Sequence, residues 1–543
     1  MKKIPVIDLF AGPGGLGEGF SQAGFDIKLS IEMDPTACET LRIRKFFHFF
    51  KDEDPNQDYY DFLSKKITLE KLKEKHLEFW KKASNCVLKA ELGNNEHDKI
   101  IYKRLDDILK DEDEFILIGG PPCQAYSLAG RSRRLGTGYT ETIEQETDEE
   151  FKKRKKELKK ENSEIFYEDK RHTLFKEYLK IINRYNPKIF VMENVKGLGS
   201  AKSGIVYKNG SVFKNLTEGL KNPRKMLSEK NGKKYSLHSF VKSNRLSLDD
   251  DHAAASDFII RCEDYGIPQK RHRIIIMGVR EDVEIKPTKL TLSKKCYTVR
   301  DTISDMPKIR SGLSKIEDTN ANWVSTIKNK YTSLLGGKEN NDLKIPEIIK
   351  TIGSFSSDLS RGGEFVEDDK LINHLNDLAK ELSDENICGW INHHSRSHIE
   401  SDLIRYLFCS AFAIYHKKTP MMKDWEGNLE AIKPAHNNIT KDKETGKLTA
   451  TSHNDRFKVQ VWDIPSSTIV SHISKDGHYY IHPDPEQCRS LTVREAARLQ
   501  TFPDNYFFFG GRTAQYHQVG NAVPPLLARN IALNIKKDFF EKK

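Results

Sequence analysis

The feature that most constrains the fold is a glycine-rich loop that follows an apolar run near the start of the chain. The run "IPVIDLF" leads into "AGPGGLGEGF", where Gly12, Gly14 and Gly17 have the spacing G-x-G-x-x-G. Apolar β-branched residues, then glycines, then a helix-forming stretch predict a strand, a tight turn and a helix. A second apolar run, "DIKLSIEMD", carries Glu32 close to its end. Together these stretches predict a βαβ unit whose glycine loop holds a nucleotide-like ligand.

The loop alone leaves the identity of that ligand open. A carboxylate at the position of Glu32 can accept hydrogen bonds from ribose hydroxyl groups, and NAD, FAD and S-adenosylmethionine all carry a ribose. One hypothesis is therefore an NAD-dependent oxidoreductase. It depends on the glycine spacing alone, and a binding measurement with NAD would test it.

Three later apolar runs, "EFILIGGPP", "KIFVMENV" and "HRIIIMGVR", alternate with helical stretches. This rhythm predicts a Rossmann-like, doubly wound α/β sheet. Two stretches interrupt it. Residues of about 44–99 are charged and helix-like without a strand pattern, and residues of about 136–169 are acidic at first and then basic. The basic part, 152–156, is either a solvated helix face or a nucleic-acid contact.

The α/β rhythm stops after Arg280, which predicts a division of the chain. We expect an α/β domain over 1–285, a second, smaller, irregular domain over 286–490, and a segment over 491–543 that returns to the first domain. Within that segment, Thr492 and Glu495 have the spacing of a helix capping box.

The composition excludes several classes of protein. A chain of 543 residues is too long for one compact core. Its eight cysteines form no C-x-x-C pair, which favours reduced thiols over a disulfide framework. No apolar run is long enough to span a bilayer and no signal peptide is recognised, so we expect a cytoplasmic protein. The formal net charge of +10 favours a polyanionic partner.

The stretch "GGPPCQAYS" places Cys123 at the end of a predicted buried strand, where α/β proteins form their active sites. A lone cysteine is usually a small buried apolar residue. Its place after two prolines and near a ligand loop favours a nucleophile instead. Glu193, in "ENV", ends the next strand and is either a structural carboxylate or an acid placed at the same sheet edge. In "QKRHR", Arg271 and Arg273 alternate along a strand, so that one can face the site while the other braces the scaffold.

The ordered set of motifs resembles the cytosine-C5 DNA methyltransferases. The matching stretches are "DLFAGPGGLGEGF", "IEMDP", "DDI", "GGPPCQAYS", "ENV", "QKRHR", "RSLTVREAARLQTFPD" and "QVGNAVPP". Each is short, but their common order spans the chain from Asp8 to Pro525.

This resemblance implies a binding site for S-adenosylmethionine, a catalytic set and a DNA-contacting set. The cofactor residues would be Phe10, Gly12, Gly14, Gly15, Leu16, Glu32, Met33, Asp107, Ile108 and Asn521. In the catalytic set, Cys123 would attack cytosine C6, Glu193 would bind N3 and Arg273 would lie near O2. The backbone of Pro122 would contact the exocyclic amine, and Arg271 would be a further member of this set. The DNA-contacting residues would be Gln124, Ser127, Gln269, Thr468 and Ile469.

The implied reaction is methylation of C5 of a cytosine flipped out of double-stranded DNA. The resemblance also implies a monomer that modifies the site cut by a cognate restriction endonuclease, without a stable complex between the two. A transfer RNA methyltransferase with the same catalytic set is the alternative function, and an inactive DNA-binding protein is a further one. Two local alternatives also remain. Thr468 could belong to an ordinary edge strand, and "CGWINHHSRSH" could bind zinc, although its spacing is not that of a common zinc site.

Overall fold

The computed structural model describes residues 3–51, 57–112, 114–122, 174–200, 212–242, 254–285, 287–334, 358–368, 376–425, 432–433, 457–475 and 477–541. A sheet of eight strands forms the centre of the first part of the chain. Its strands are β1 (Pro5–Leu9), β2 (Asp26–Glu32), β3 (Val87–Lys89), β4 (Ile116–Gly119), β5 (Ile189–Val195), β6 (Tyr235–Ser239), β7 (Ile259–Arg261) and β9 (His272–Arg280).

The strand order is β3-β2-β1-β4-β5-β9-β6, with β7 paired to β9, and most neighbouring strands are parallel. Strands β1 to β5 run parallel, whereas β9 is antiparallel to β5 and also pairs with β6 and β7. The helices in this part of the chain cover the two faces of the sheet or pack beside it. They are α1 (Gly15–Gln22), α2 (Pro35–Phe50), α3 (Gln57–Leu63), α4 (Leu69–Lys75), α5 (Leu77–Asn85), α6 (Asn95–Leu109), α7 (Leu174–Tyr185), α8 (Val212–Lys221) and α9 (Pro223–Leu227).

Alternation along the strands divides the core into two layers. Val6 and Ile116 pack on one face of the sheet, with α1, whereas Ile7 and Leu117 pack on the other face, with α6 and α7. Because successive side chains of a strand point to opposite faces, a sheet covered on both sides needs apolar residues at nearly every position. The predicted doubly wound α/β fold is confirmed.

The stretch of about 44–99 differs from the expectation because it contains a strand. β3 pairs with β2 in parallel at the edge of the sheet. It is only three residues long and buries only Val87, so it leaves no apolar run in the sequence. The helices before it contribute aromatic side chains to a cluster that also includes Ile387, Ile391 and Phe507. The stretch therefore packs against the later parts of the chain.

The region after Arg280 has its own small elements and its own core. Its helices are α10 (Val299–Ile303), α11 (Asn320–Leu334), α12 (Asp377–Leu382) and α13 (Glu400–His416), and its strands are β10 (Gly312–Leu313), β11 (Gly362–Glu367), β12 (Gly389–His394), β13 (Ser397–His398) and β14 (Ser466–Ser467). The core of this region forms around α13. All residues from Leu403 to Ala413 of that helix are buried except Arg405. A helix that is buried all round has no amphipathic pattern, so the sequence did not reveal it.

The last segment connects the two parts. Helix α14 (Val493–Leu499) and helix α15 (Arg512–Asn521) share a cluster with Trp390 and Ile469 of the second part. Helix α16 (Pro525–Phe539) packs on α1 instead. Helices α14 and α15 therefore form a junction between the two parts of the chain, and only α16 returns to the α/β domain.

Candidate active site

The glycine loop and the end of β2 form one hydrogen-bonded unit. The backbone N–H of Gly12 donates to Glu32 Oε2 at 2.8 Å, and the N–H groups of Met33 and Asp34 donate to Glu32 Oε1 at 2.9 Å each. Phe10 and Gly12 both have positive φ, at 56° and 55°. A positive φ is strained for phenylalanine, and strain of this kind is concentrated at functional sites.

The predicted cofactor residues differ in how they are placed here. Met33 is 61% exposed directly beside Glu32, and an exposed apolar side chain at a sheet edge offers a surface for a flat ring. A Cβ added at Gly12 would meet nothing within 4 Å, so this part of the loop is open. Leu16, in contrast, lies in the core beneath the loop.

The C-terminal segment closes the loop from the other side. A Cβ added at Gly15 would overlap the carbonyl oxygen of Val523, so glycine is required for this approach. The Tyr506 hydroxyl donates to the carbonyl of Pro13. Asn521 ends α15 two residues before Val523 and is exposed. Asn521 therefore lies close in sequence to the residue that contacts the glycine loop, and its role toward a cofactor stays a prediction.

The structure does not bring Asp107 or Ile108 to this pocket. Both lie near the carboxyl end of α6, where the neighbouring Asp106 binds Arg184 at 2.9 Å and the Tyr185 hydroxyl at 2.7 Å. This end of α6 precedes β4 and therefore lies at the amino edge of the sheet, opposite Glu32.

Residues Ala90–Leu92, rather than Asp107 and Ile108, follow a strand of the sheet at the edge that carries Glu32. The N–H of Ala90 donates to the carbonyl of Glu32 at 2.9 Å. The next residue, Glu91, is exposed, and its N–H donates to His97 Nδ1 at 3.0 Å. The available signal was the position of Glu91 after a strand, but that strand was too short to recognise.

Glu193 and Arg273 meet at the carboxyl end of the central strands. Arg273 Nε lies 2.9 Å from Glu193 Oε1, and both side chains are mostly buried. Glu193 lies against the backbone of β4, since a Cβ added at Gly120 would be 2.9 Å from Glu193 Oε2. Asn194 Nδ2 donates to the carbonyl of Pro121 at 3.3 Å. The acid, the cation and the Pro-Pro turn are therefore assembled at one place.

Cys123, Gln124 and Ser127 lie outside the described residues, and so does the stretch 136–169. Pro122 is the last described residue before them, and it is half-buried at the end of the Pro-Pro turn.

Arg271 braces the scaffold, whereas Arg273 faces Glu193. Arg271 is fully buried and donates to the carbonyl of Ile469 at 2.7 Å and to the carbonyl of Gly520 at 3.4 Å. Burial and the neighbouring Arg273 lower its pKa to about 9. Arg271 therefore ties the end of the second part and the end of α15 to the sheet.

Gln269 has a similar structural place, so the structure does not present it to DNA. It is completely buried, and its amide donates to the carbonyl of Leu499 at 3.1 Å while its oxygen accepts from the N–H of Ile469 at 3.0 Å. Its strand, β8 (Gln269–Lys270), pairs in parallel with β14.

Of the two residues in the Thr468 loop that were expected to contact DNA, one is accessible. Thr468 is half-buried and donates from Oγ1 to the carbonyl of Lys270 at 2.6 Å. Ile469 is fully buried in the junction cluster, and the accessible neighbour is Val470. The loop at Thr468 thus follows β14 directly and lies against the strand that leads to Arg273.

The segment "CGWINHHSRSH" serves the junction. His393 bonds through Nδ1 with Thr492 Oγ1 and through Nε2 with the carbonyl of Pro307, each at 3.0 Å. Within the described ranges, no three His, Cys, Asp or Glu side chains are grouped as a metal site would require. None of the helices in the described part of the chain combines the length and the apolar character that a membrane crossing needs.

Comparison with known proteins gives consistent matches over the whole chain. The family model for C-5 cytosine-specific DNA methylase matches residues 4–73, 163–223 and 254–537. The type II methyltransferase M.Bpa9945I of Bacillus paralicheniformis is 31% identical, over 98% of this chain and 98% of that protein. M.AgeI of Thalassovita gelatinovora is 24% identical over 98% and 99%, and M1.HphI of Haemophilus parahaemolyticus is 24% identical over 98% and 87%.

Proposed function

This chain belongs to the C-5 cytosine-specific DNA methylase family and is a DNA cytosine-C5 methyltransferase, and from this premise we propose its reaction in detail. The enzyme transfers a methyl group from S-adenosylmethionine to C5 of a flipped-out cytosine in a specific sequence of double-stranded DNA. The observation that carries the proposal is the Glu193–Arg273 pair at 2.9 Å, which stands beside the Pro-Pro turn that leads to Cys123.

The residues around the glycine loop fit S-adenosylmethionine. Glu32 is held by three backbone N–H groups and lies at the edge where a ribose would bind. Exposed Met33 and half-buried Phe10 offer apolar surface to an adenine, and the exposed carboxylate of Glu91 can accept from its amino group. Asn521 would close the pocket. When bound, the cofactor supplies an electrophilic methyl group on a sulfonium.

The chain's own residues make C5 of cytosine reactive. The Cys123 thiolate forms a bond to C6, while Glu193 donates a hydrogen bond or a proton to N3. Electron density then accumulates at C5, which takes the methyl group. Loss of the C5 proton to a base and cleavage of the sulfur–C6 bond restore the aromatic ring and free the cysteine.

The ion pair gives both side chains a partner before a cytosine enters. When no cytosine is bound, the opposite charges of Arg273 and Glu193 neutralise each other, and both side chains are mostly buried. An entering cytosine would offer O2 to Arg273. N3 is an acceptor, so Glu193 would take up a proton from solvent as its pair with Arg273 opens and would then donate it to N3. C6 is inaccessible in a stacked duplex, which is why the base must leave the helix.

The names of the relatives favour a place in restriction and modification. The three relatives named above are type II methyltransferases. We therefore propose that this enzyme protects the site of a cognate restriction endonuclease and acts on it as a monomer. Residues 286–490 would read the sequence, because they form the part of the chain with a core of its own.

Bisulfite sequencing of DNA from cells that express the chain tests the reaction and reveals the target. We expect one methylated sequence with the wild type and none with Cys123→Ala. Cys296→Ala is the matched control, because Cys296 is an exposed cysteine outside the site.

Purified protein separates the alternatives. DNA with 5-fluorocytosine at the target should form a covalent complex that survives a denaturing gel, because fluorine cannot leave as a proton does. Methylation of transfer RNA but not of DNA, or covalent trapping by Cys123→Ala, would refute the proposal.

A further inference from the structure

A recess of about 310 Å³ lies between the second part of the chain and the start of α15, and the proposed reaction does not use it. We call it the basic recess and define it by six of its lining residues, which are Arg396, His398, Asp402, Lys475, His478 and Arg512.

The described residues leave the positive charge of the basic recess uncompensated. Arg396 donates to the carbonyl oxygens of Lys475 and Ile473, and Arg512 donates to the carbonyl of Ser395 at 2.8 Å. The lining carboxylate, Asp402, is paired with Arg405 at 2.9 Å. Across the described ranges, no carboxylate forms an ion pair with Arg396, Lys475 or Arg512. Three cations therefore line the recess without a carboxylate partner among the residues that the structure describes.

The titration of the neighbouring groups reflects the same crowding of charge. Burial and the cations Arg396 and Arg361 lower the pKa of Arg512. Burial, His478, Arg396 and Arg512 hold the pKa of His398 well below its usual range. Like charges raise the free energy of a cation, and an anion among them would lower it.

Backbone and side-chain donors are also available. Helix α15 starts at Arg512 without a side-chain cap and without an acidic residue in its first turn, so its free N–H groups favour an anion. Arg396 is only 7% exposed, and its guanidinium lies over the Tyr516 ring at 4.1 Å. Arg396 therefore contributes positive charge to the recess, whereas the exposed side chains of Lys475 and Arg512 are the ones that can donate to an anion.

The location relates the basic recess to the site. Lys475 follows a short 3-10 turn, Ser471–Ser474, which continues directly from the Thr468 loop. This turn packs on α15, where a Cβ added at Gly520 would overlap the backbone of Val470. The recess therefore continues the surface of the Thr468 loop, which the resemblance assigns to DNA contact.

We propose that the basic recess binds one backbone phosphate of the duplex that flanks the target cytosine. This assignment depends on the proposed DNA substrate. A phosphodiester matches the recess because it brings one negative charge and several acceptor oxygens, which arginine, lysine and a helix N-terminus all bind. Such a contact adds affinity but no sequence preference.

The salt dependence of DNA binding tests this assignment. Fluorescence anisotropy gives Kd for a target and a non-target duplex at several NaCl concentrations. Each neutralised phosphate contributes about 0.9 to the slope of log K against log salt. We expect Arg512→Gln and Lys475→Gln each to reduce the slope by up to this amount, which is about fivefold weaker binding at about 0.15 M salt. The loss should be equal for both duplexes.

Two controls accompany these variants. Arg512→Lys should keep most of the slope, and Lys103→Gln should keep all of it, because Lys103 is an exposed lysine on α6. Lys475 is exposed, so Lys475→Gln should leave the fold intact and still give the change in slope if Arg512→Gln disturbs folding.

A second arm separates a DNA phosphate from a free anion. The thermal midpoint of the DNA-free protein is compared in inorganic phosphate and in chloride at equal ionic strength. Phosphate stabilisation that Arg512→Gln abolishes, together with an unchanged DNA slope, would assign the recess to a free anion and overturn the proposal. An unchanged slope in both glutamine variants would overturn it as well. A wild type that binds no duplex DNA would refute the proposed function instead.

Discussion

Glu91 is the residue whose replacement best distinguishes the structure from the sequence interpretation of the cofactor pocket. Glu91 follows β3 at the carboxyl edge of the sheet, next to Ala90, whose N–H donates to the carbonyl of Glu32 at 2.9 Å. Asp107 lies near the end of α6, at the opposite edge. We expect Glu91→Ala to weaken binding of S-adenosylmethionine and Asp107→Ala to leave it unchanged.

The magnitude follows from the surroundings of Glu91. A hydrogen bond to a charged group contributes about 1.5–3 kcal/mol. Glu91 is exposed, so water competes for its carboxylate and the lower end of this range applies. A loss of about 1.4 kcal/mol corresponds to a tenfold higher Kd. The two variants are matched, because each removes one exposed carboxylate and the net charge changes equally.

Isothermal titration calorimetry with S-adenosylmethionine measures both values of Kd directly and needs no DNA. Circular dichroism confirms that the variants are folded. A Kd for Glu91→Ala within twofold of the wild type, or a tenfold loss in Asp107→Ala, would show that the carboxyl edge of β3 does not hold the adenine.

Four further predictions concern the site and the junction. Glu193→Gln should slow single-turnover methylation by about 100- to 10,000-fold, because an amide cannot deliver a proton to N3; a change below about threefold would make Glu193 structural. Arg271→Met should lower the free energy of unfolding in urea by about 2–4 kcal/mol, since two buried carbonyls lose a charged donor; wild-type stability would contradict the bracing role. Gly15→Ala should abolish cofactor binding in calorimetry, because the new Cβ would overlap the carbonyl of Val523, and unchanged binding would exclude this close approach. The free energy of unfolding should fall as pH drops from about 6.5 towards 4, because burial lowers the pKa of His393 to about 4 and that of His482 to about 3. In this pH range the unfolded chain protonates both histidines and the native chain does not, which costs up to about 1.4 kcal/mol per pH unit for each histidine. A urea midpoint that stays flat or rises between pH 6.5 and 5 would contradict this prediction.

Short-range sequence patterns were sufficient to predict the sheet, the glycine loop and the edge of the sheet at which Glu193 lies. Continuous apolar runs specify strands buried on both faces, and the glycines after β1 specify a turn that other residues cannot adopt without strain. Glu193 could be placed at the carboxyl edge because it ends a predicted strand, whereas Arg273 was assigned to the same site only by the resemblance. Arg273 begins β9, and it reaches Glu193 because β9 runs antiparallel to β5.

The tertiary structure decided the roles that depend on distant contacts. Arg271 and Gln269 have the same local pattern as their neighbour Arg273, but partners about 200 to 250 positions away make them internal braces. Ile469 is buried for the same reason, and β3 is a strand only because β2 offers it an edge. A short sequence window contains no information about such partners. The free energy of burying an arginine or of forming a three-residue strand is set by groups that only the folded chain brings together.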